Sequence, residues 1–137
     1  MGDAARDGEV YEWHAVPDGF YLVADTERPV PDFQKALIEA VRRVRPGVYR
    51  NEMLVDGYDK PVRLVAALTV HPDYIEVDFS GTDPVSPFGI NVPFCYTEAY
   101  TAFGIKCIVA PKIPNNAGSL SVIRVTAPEG CILNAVH

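Results

Sequence analysis

An apolar residue stands at every second position from Val62 to Val70, with polar Arg63 and Thr69 among those between. Val62, Leu64, Ala66, Leu68 and Val70 fall on one side, as a half-buried strand requires. His71-Pro72-Asp73 then turns the chain. In Tyr74 to Ser80, Ile75, Val77 and Phe79 alternate with Glu76 and Asp78, so the two runs predict a hairpin. Another hairpin is predicted over Glu9 to Asp25. Tyr11, Trp13 and Ala15 alternate on the way out and Phe20, Leu22 and Ala24 on the return. Between them Val16-Pro17-Asp18-Gly19 supplies a preset φ at proline and a permitted positive φ at glycine. Val48 to Val55 reads as a further strand and Asp56-Gly57 as a turn. Leu120 to Ala127 and Cys131 to Val136 read as strands joined by Pro128-Glu129-Gly130.

Helical spacing occurs twice. Phe33, Leu37, Val41 and Val44, with Ala36 and Ala40 beside them, make one apolar stripe in Asp32 to Val44. Asp32 is suited to the N-cap, and Pro46-Gly47 stops the helix. Thr97 to Val109 is the second, with Ala99, Phe103 and Cys107 on one face and Pro111 beyond its end. Gly104 costs it about 1 kcal/mol relative to alanine. Thr26 to Pro31, Gly81 to Pro93 and Pro111 to Ser119 hold too much proline and glycine for long regular elements. Segments such as Pro111 to Pro114 favour polyproline II geometry, whose backbone makes no internal hydrogen bonds. The order ββ-α-βββ-loop-α-loop-ββ predicts an α+β fold. It would be a single domain over residues 1–137, a mainly antiparallel sheet or partial barrel with two helices and proline- and asparagine-rich, polyproline-like loops.

Composition narrows the partners. The 137 residues are 48% hydrophobic and 22% charged, with net charge −6, a field that repels phosphate backbones and anionic lipid. Arg42, Arg43, Arg45 and Arg50 read as the solvated side and C-terminal end of a helix, where cations complement the dipole. Met1 to Val10 is polar and acidic, with no secretory apolar run, and Arg6 stands where a myristoylation site needs serine or threonine. Nothing approaches the ~20 apolar residues of a membrane span. The expected address is the cytoplasm. Cys95, Cys107 and Cys131 are odd in number and widely spaced, so buried, reduced thiols are expected and no metal site.

No phosphate-binding glycine loop, zinc-binding helix motif or nucleophile elbow is present. The densest polar cluster is Asp78-Phe79-Ser80-Gly81-Thr82-Asp83, at the end of a predicted strand. Two carboxylates and two hydroxyls converging there could hold a cation, or share a proton with one pKa raised. The same residue types also build Asx- and ST-turns, in which Thr82 and Asp83 satisfy loop amides. Asn91, Asn115, Asn116 and Asn134 form a second group. Their amides can bond loop backbone that has no sheet or helix partner, or recognise an amide or carbonyl substrate.

Taken in order, Asp56-Gly57, Val77 to Pro84, Ile90-Asn91-Val92-Pro93, Thr97 to Tyr100, Ile113-Pro114-Asn115-Asn116-Ala117-Gly118 and Ala127 to Asn134 resemble the hydantoinase B / oxoprolinase / ketone (acetone, acetophenone) carboxylase β-subunit family. The resemblance spans roughly Val48 to Asn134, and Asp32 to Pro46 resembles the helix that precedes this block. It implies β-sheets in a barrel-like arrangement with polyproline-type segments. It also implies membership of an ATP-dependent machine, in which a hydantoinase A-like partner activates the substrate and the B-like subunit completes the site. The chemistry there would be amide-ring hydrolysis or ketone carboxylation. The chain lacks the family's N-terminal block with its acidic and histidine-containing motifs, so catalytic residues are not carried over. Asp78, Thr82, Asp83, Asn91, Asn115 and Asn116 fall on family motif positions and are the candidate binding residues. The expectation is a small accessory subunit in a hetero-oligomer with hydantoinase A-like and B-like subunits, such as the small subunit of an acetophenone carboxylase-like complex. ATP and Mg or Mn would be held by the partners. The alternative is a stand-alone amidohydrolase using Asp78 and Asp83.

Overall fold

The computed structural model describes residues 32–136 and, before them, the backbone of three strands. The chain divides into two compact units, Met1–Asp32 and Phe33–His137. The first unit is an antiparallel sheet in the order β1 (Asp3–Arg6), β2 (Glu9–Val16), β3 (Gly19–Ala24). The register of β2 on β3 sets Tyr11 opposite Ala24, Trp13 opposite Leu22 and Ala15 opposite Phe20, so the N-terminal hairpin is present as the alternation predicted. Strand β1 was not foreseen, because Asp-Ala-Ala-Arg carries no apolar alternation. Pro17, Asp18 and Asp25, and the expected Thr26 to Pro31 loop, lie outside the described residues.

The second unit is an α+β fold built on an open four-stranded sheet. Helix α1 (Phe33–Val41) comes first. It is followed by β4 (Gly47–Val55), β5 (Val62–Val70), β6 (Ile75–Asp78), α2 (Phe94–Val109), α3 (Ala117–Leu120) and β7 (Ile123–Thr126). The sheet order is β4-β5-β6-β7. The β5–β6 pair is the antiparallel hairpin that the alternation predicted, and β4 pairs antiparallel with β5 on its other side. β7 lies parallel to β6, with Ile75 opposite Ile123 and Asp78 opposite Thr126. A parallel pair needs a crossover, and α2 with α3 supplies it. The sheet does not close, so the partial-barrel form of the expectation gives way to an open mixed sheet.

One face of this sheet carries Leu68, Val70, Ile75, Val77, Ile123 and Val125, the residues that pairing stacks in rows. Against them α1 brings Leu37 and Val41, 0% and 1% exposed, and α2 brings Ala102. The α1 stripe is the predicted one. Beyond Val41 the helix tightens into three-residue turns, with Arg43 N bonding Ala40 O and Val44 N bonding Val41 O, and Gly47 opens β4 at φ 151°. Arg42, from the basic cluster, pairs with Asp73 in the β5–β6 turn at 2.6 Å.

The expected strand Leu120 to Ala127 begins only at Ile123, because Ala117–Leu120 forms a third helix, α3, and three further expectations need correction. First, α2 starts at Phe94 because Pro93 serves as its N-cap, its carbonyl accepting from Tyr96 N and Thr97 N. Its buried face carries Thr97, Ala102 and Lys106, while Ala99, Phe103 and Cys107 point outward. The helix is apolar nearly all round, so periodicity could not choose the face. Thr97 Oγ1, donating 2.6 Å to Leu133 O, helps decide it. Second, Cys131 to Val136 is not a strand. Its backbone bonds go to loops: Ile132 N to Asp83 O, Val92 N to Ile132 O and Ala135 N to Val92 O, with one bridge between Pro84 and Cys131. Third, Cys95 and Cys107 are exposed and only Cys131 is buried; all three are free thiols.

Candidate functional site

The candidate cluster sits where β6 runs out. The β5–β6 ladder ends with Ala67 opposite Asp78, yet β5 continues back to Val62. The loop takes over the missing half of the ladder with side chains. Gly81, at φ 96°, turns the backbone through a region other residues rarely adopt. Thr82 then lies with its hydroxyl against β5. Thr82 Oγ1 accepts from Val65 N at 3.0 Å and donates to Val65 O at 3.1 Å. One residue on, Asp83 N donates to Arg63 O at 3.0 Å and Asp83 Oδ2 accepts from Arg63 N at 2.8 Å. The pair thus meets every β5 amide and carbonyl that β6 leaves open at Val65 and Arg63.

Asp78 faces another way. Its Oδ1 accepts from Ser80 Oγ at 2.7 Å and Ser80 N at 2.9 Å, with Thr126 Oγ1 on β7 at 3.4 Å. The Ser80 hydroxyl is the largest influence; burial, the next largest, opposes it, but the Ser80 amide, the Thr126 hydroxyl and the charge of Arg50 add to the hydroxyl and hold Asp78 below the ordinary carboxylate range. Asp78 is therefore an ionised acceptor at neutral pH. That is the opposite of the raised pKa that a proton-sharing pair would give it.

The asparagines are placed apart from this cluster. Asn91 closes the 86–91 loop: its Oδ1 accepts from Ser86 N at 2.7 Å and its Nδ2 donates to Ser86 O at 2.8 Å. Asn116 caps α3 in a reciprocal box with Ser119, each side chain taking the other's backbone amide. Asn115, beside it, is exposed. Asn134 Nδ2 donates to Ala127 O at 2.9 Å. Sequence reasoning missed Ser119, which is 0% exposed and whose hydroxyl also donates to Pro114 O. The Asn-x-x-Ser spacing was its signal.

Two apolar grooves flank α2. One of about 440 Å³ lies between α2 and the sheet, lined by Leu64, Phe79, Val92, Tyr96, Tyr100 and Leu133. Another of about 530 Å³ runs between α2, α3 and β7, past Cys95, Glu98, Leu120 and Arg124. Tyr96 and Tyr100 stack at 6.1 Å and, with Phe103 and Ile108, stay largely exposed. Among the described residues no group of three or more His, Cys, Asp and Glu side chains could hold a metal ion. No described helix is long and apolar enough to cross a membrane.

The geometry defines an α+β module whose loops are braced by side chains and whose helix α2 leaves Tyr96, Tyr100, Phe103 and Ile108 exposed. The hydantoinase B/oxoprolinase family model matches residues 28–137, and the chain belongs to that family. A putative D-/L-hydantoinase B-type subunit of Pseudomonas sp. (strain NS671) is 26% identical over 117 residues, covering 75% of this chain and 20% of that protein. An uncharacterised protein of Methanocaldococcus jannaschii is 32% identical over 76 residues, covering 56% of this chain and 14% of its own length. The ATP-dependent caprolactamase from Pseudomonas jessenii shares the fold with a TM-score of 0.62 at 20% identity, over 76% of this chain and 18% of that one. The chain thus spans a fifth or less of the length of these two curated relatives.

Proposed function

We propose that the chain is a non-catalytic accessory module of a multi-subunit, ATP-dependent assembly of the hydantoinase or ketone carboxylase type. It would dock against hydantoinase A-like and B-like subunits and shape their shared site. ATP and its Mg or Mn would be held by those partners. Two likenesses support the ATP-dependent amide chemistry: a hydantoinase subunit among the relatives and an ATP-dependent caprolactamase among the similar folds.

One observation carries the reading. Asp78, Thr82, Asp83, Asn91 and Asn116, all on family motif positions, each bond the chain's own backbone through a side-chain oxygen. At the same time Tyr100 and Ile108 on α2 stand 69% and 85% exposed, an apolar surface of the kind that partners cover. The test is co-expression of the tagged chain with hydantoinase A-like and B-like subunits from its source, followed by affinity purification. Retention of both subunits, with ATP-dependent turnover of a cyclic amide or a ketone that falls when the chain is omitted, is expected. Turnover of either substrate by the isolated chain would overturn the assignment.

A further inference from the structure

Strand β4 is the sheet's edge, and among the described residues it has no neighbour on its outer side. Eight of its nine residues are exposed, including Val48 (59%), Met53 (54%) and Leu54 (67%). A long exposed edge with open amides is a template for pairing, and natural proteins either blunt it or fill it.

Which β4 residues present those amides follows from the far side of β5. Val65 N, Arg63 N and Arg63 O are taken by Thr82 and Asp83, and His71 N by Tyr74 O. The odd-numbered residues of β5 therefore face β6 and the even-numbered ones face β4. Their partners Gly47, Tyr49, Asn51, Met53 and Val55 bond inward. Val48, Arg50, Glu52 and Leu54 turn their amides and carbonyls to the open edge.

A second strand added antiparallel about a two-fold axis must set edge-facing residues opposite one another. An axis at Asn51 uses the whole strand. Val48 then opposes the second copy's Leu54, and Arg50 opposes the second copy's Glu52. On the other face Tyr49 opposes the second copy's Met53, and Asn51 meets its own equivalent. Moving the axis one residue along the edge fails on charge. At Arg50 two guanidinium groups stand opposite each other, and at Glu52 two carboxylates. Shifts farther along shorten the overlap. An edge blunted against self-pairing would carry one sign of charge; this one carries both, symmetrically about its middle residue. Within its own chain Glu52 already pairs with Arg63 on β5, at 2.7 Å to each of two guanidinium nitrogens, so Arg50 of the second copy would join that carboxylate as a second cation.

We infer that β4 is a self-complementary docking edge, and that two copies of the chain join β4 to β4 through an isologous antiparallel pairing centred on Asn51. The pairing makes one continuous eight-stranded sheet from two four-stranded ones, held by about eight backbone hydrogen bonds. This inference does not depend on the partner assignment above.

The full chain, purified alone, is expected to show twice its monomer mass by light scattering over a concentration series. Cross-linking then fixes the register. In a Cys95→Ser/Cys107→Ser background, which removes the exposed thiols, Asn51→Cys is expected to give a covalent dimer under mild oxidation. Cα atoms of a non-hydrogen-bonded antiparallel pair lie about 4.5 Å apart, within disulfide reach. Arg50→Cys and Glu52→Cys in that background should stay uncoupled, since each opposes a different residue. Arg50→Glu sets carboxylates opposite each other twice and should weaken the dimer about tenfold. A monomeric chain would overturn the inference. So would a dimer that couples through Arg50→Cys or Glu52→Cys instead of Asn51→Cys.

Discussion

Replacing Thr82 with valine tests whether the best polar cluster is a brace or a site. Valine keeps the shape of the side chain and removes only the hydroxyl. In the folded chain that hydroxyl is the partner of both Val65 N and Val65 O, and Thr82 is 8% exposed. Water has little access to replace it. Each backbone group left unpaired costs about 1–3 kcal/mol, with the part-buried setting favouring the lower half of that range. The sum is about 2–4 kcal/mol. With a urea dependence of about 1–3 kcal/mol per molar for a unit of this size, the midpoint should fall by roughly 1–2 M. Thr82→Ser keeps the hydroxyl and loses a methyl group, so it should cost only about 1 kcal/mol. The assay is equilibrium urea unfolding followed by far-UV circular dichroism, with the slope compared between variants. A Thr82→Val midpoint within about 0.3 M of the parent would refute the bracing argument. If that variant also lost a binding or catalytic activity while keeping its stability, Thr82 would be a ligand-contacting residue.

Other expectations follow from the same geometry. Asp78 has a folded-state pKa below its unfolded value, so its contribution is present above the unfolded value near 4 and is lost as pH falls through the folded value. Asp78→Asn should therefore flatten the acid limb of the stability–pH curve below about pH 4 and leave its slope near neutrality unchanged; acid titration of the urea midpoint reads this, and parallel curves would contradict it. Asn116→Ala removes the α3 cap and should cost about 0.5–2 kcal/mol, measured by thermal unfolding, with Asn116→Asp retaining most of the stability. Leu37→Ala opens a cavity where the side chain is 0% exposed, and should cost about 2–5 kcal/mol by the same measurement.

The elements that were legible are those whose pattern and boundaries agree locally. Val62–Val70 is apolar at every second position and is bounded by Pro61 and by His71-Pro72, and β5 has those limits. The α1 stripe was legible for the same reason. Strand partnership was not: Ile123–Thr126 alternates equally well whether its neighbour runs parallel or antiparallel, and the α2 crossover that decides it is a tertiary matter. Helix α3 is four residues long, too short for periodicity, and only the Asn116–Ser119 spacing marks it. Ordered motifs revealed the family, since the segments from Val77 to Asn134 lie within the matched region. They did not reveal which groups each polar residue bonds. Thr82 and Asp83 look alike as members of a turn and as members of a binding cluster until β5 is seen running past the end of β6.

That overrun explains why such polar loops persist in a module of this size. β5 has nine residues and β6 four, so the shorter strand leaves part of its neighbour's ladder unmet. Extending β6 would satisfy those groups with main chain, but the 81–93 loop would then start farther along and could not bring Val92 to Ile132 and Ala135. Using Thr82 and Asp83 instead lets the chain leave the sheet at Gly81 and still close the ladder. The loop is thereby held at both ends, by β5 through Thr82 and Asp83 and by the 131–135 segment through Val92. Leu64, Phe79, Val92 and Leu133, which line the groove under Tyr96 and Tyr100, all sit on or beside these tethers. Cutting one tether should then loosen the groove as well as the sheet. Hydrogen exchange in Thr82→Val should show faster exchange at Val92 and Ala135 as well as at Val65. Acceleration confined to Val65 would mean that loop and groove are held independently of the brace.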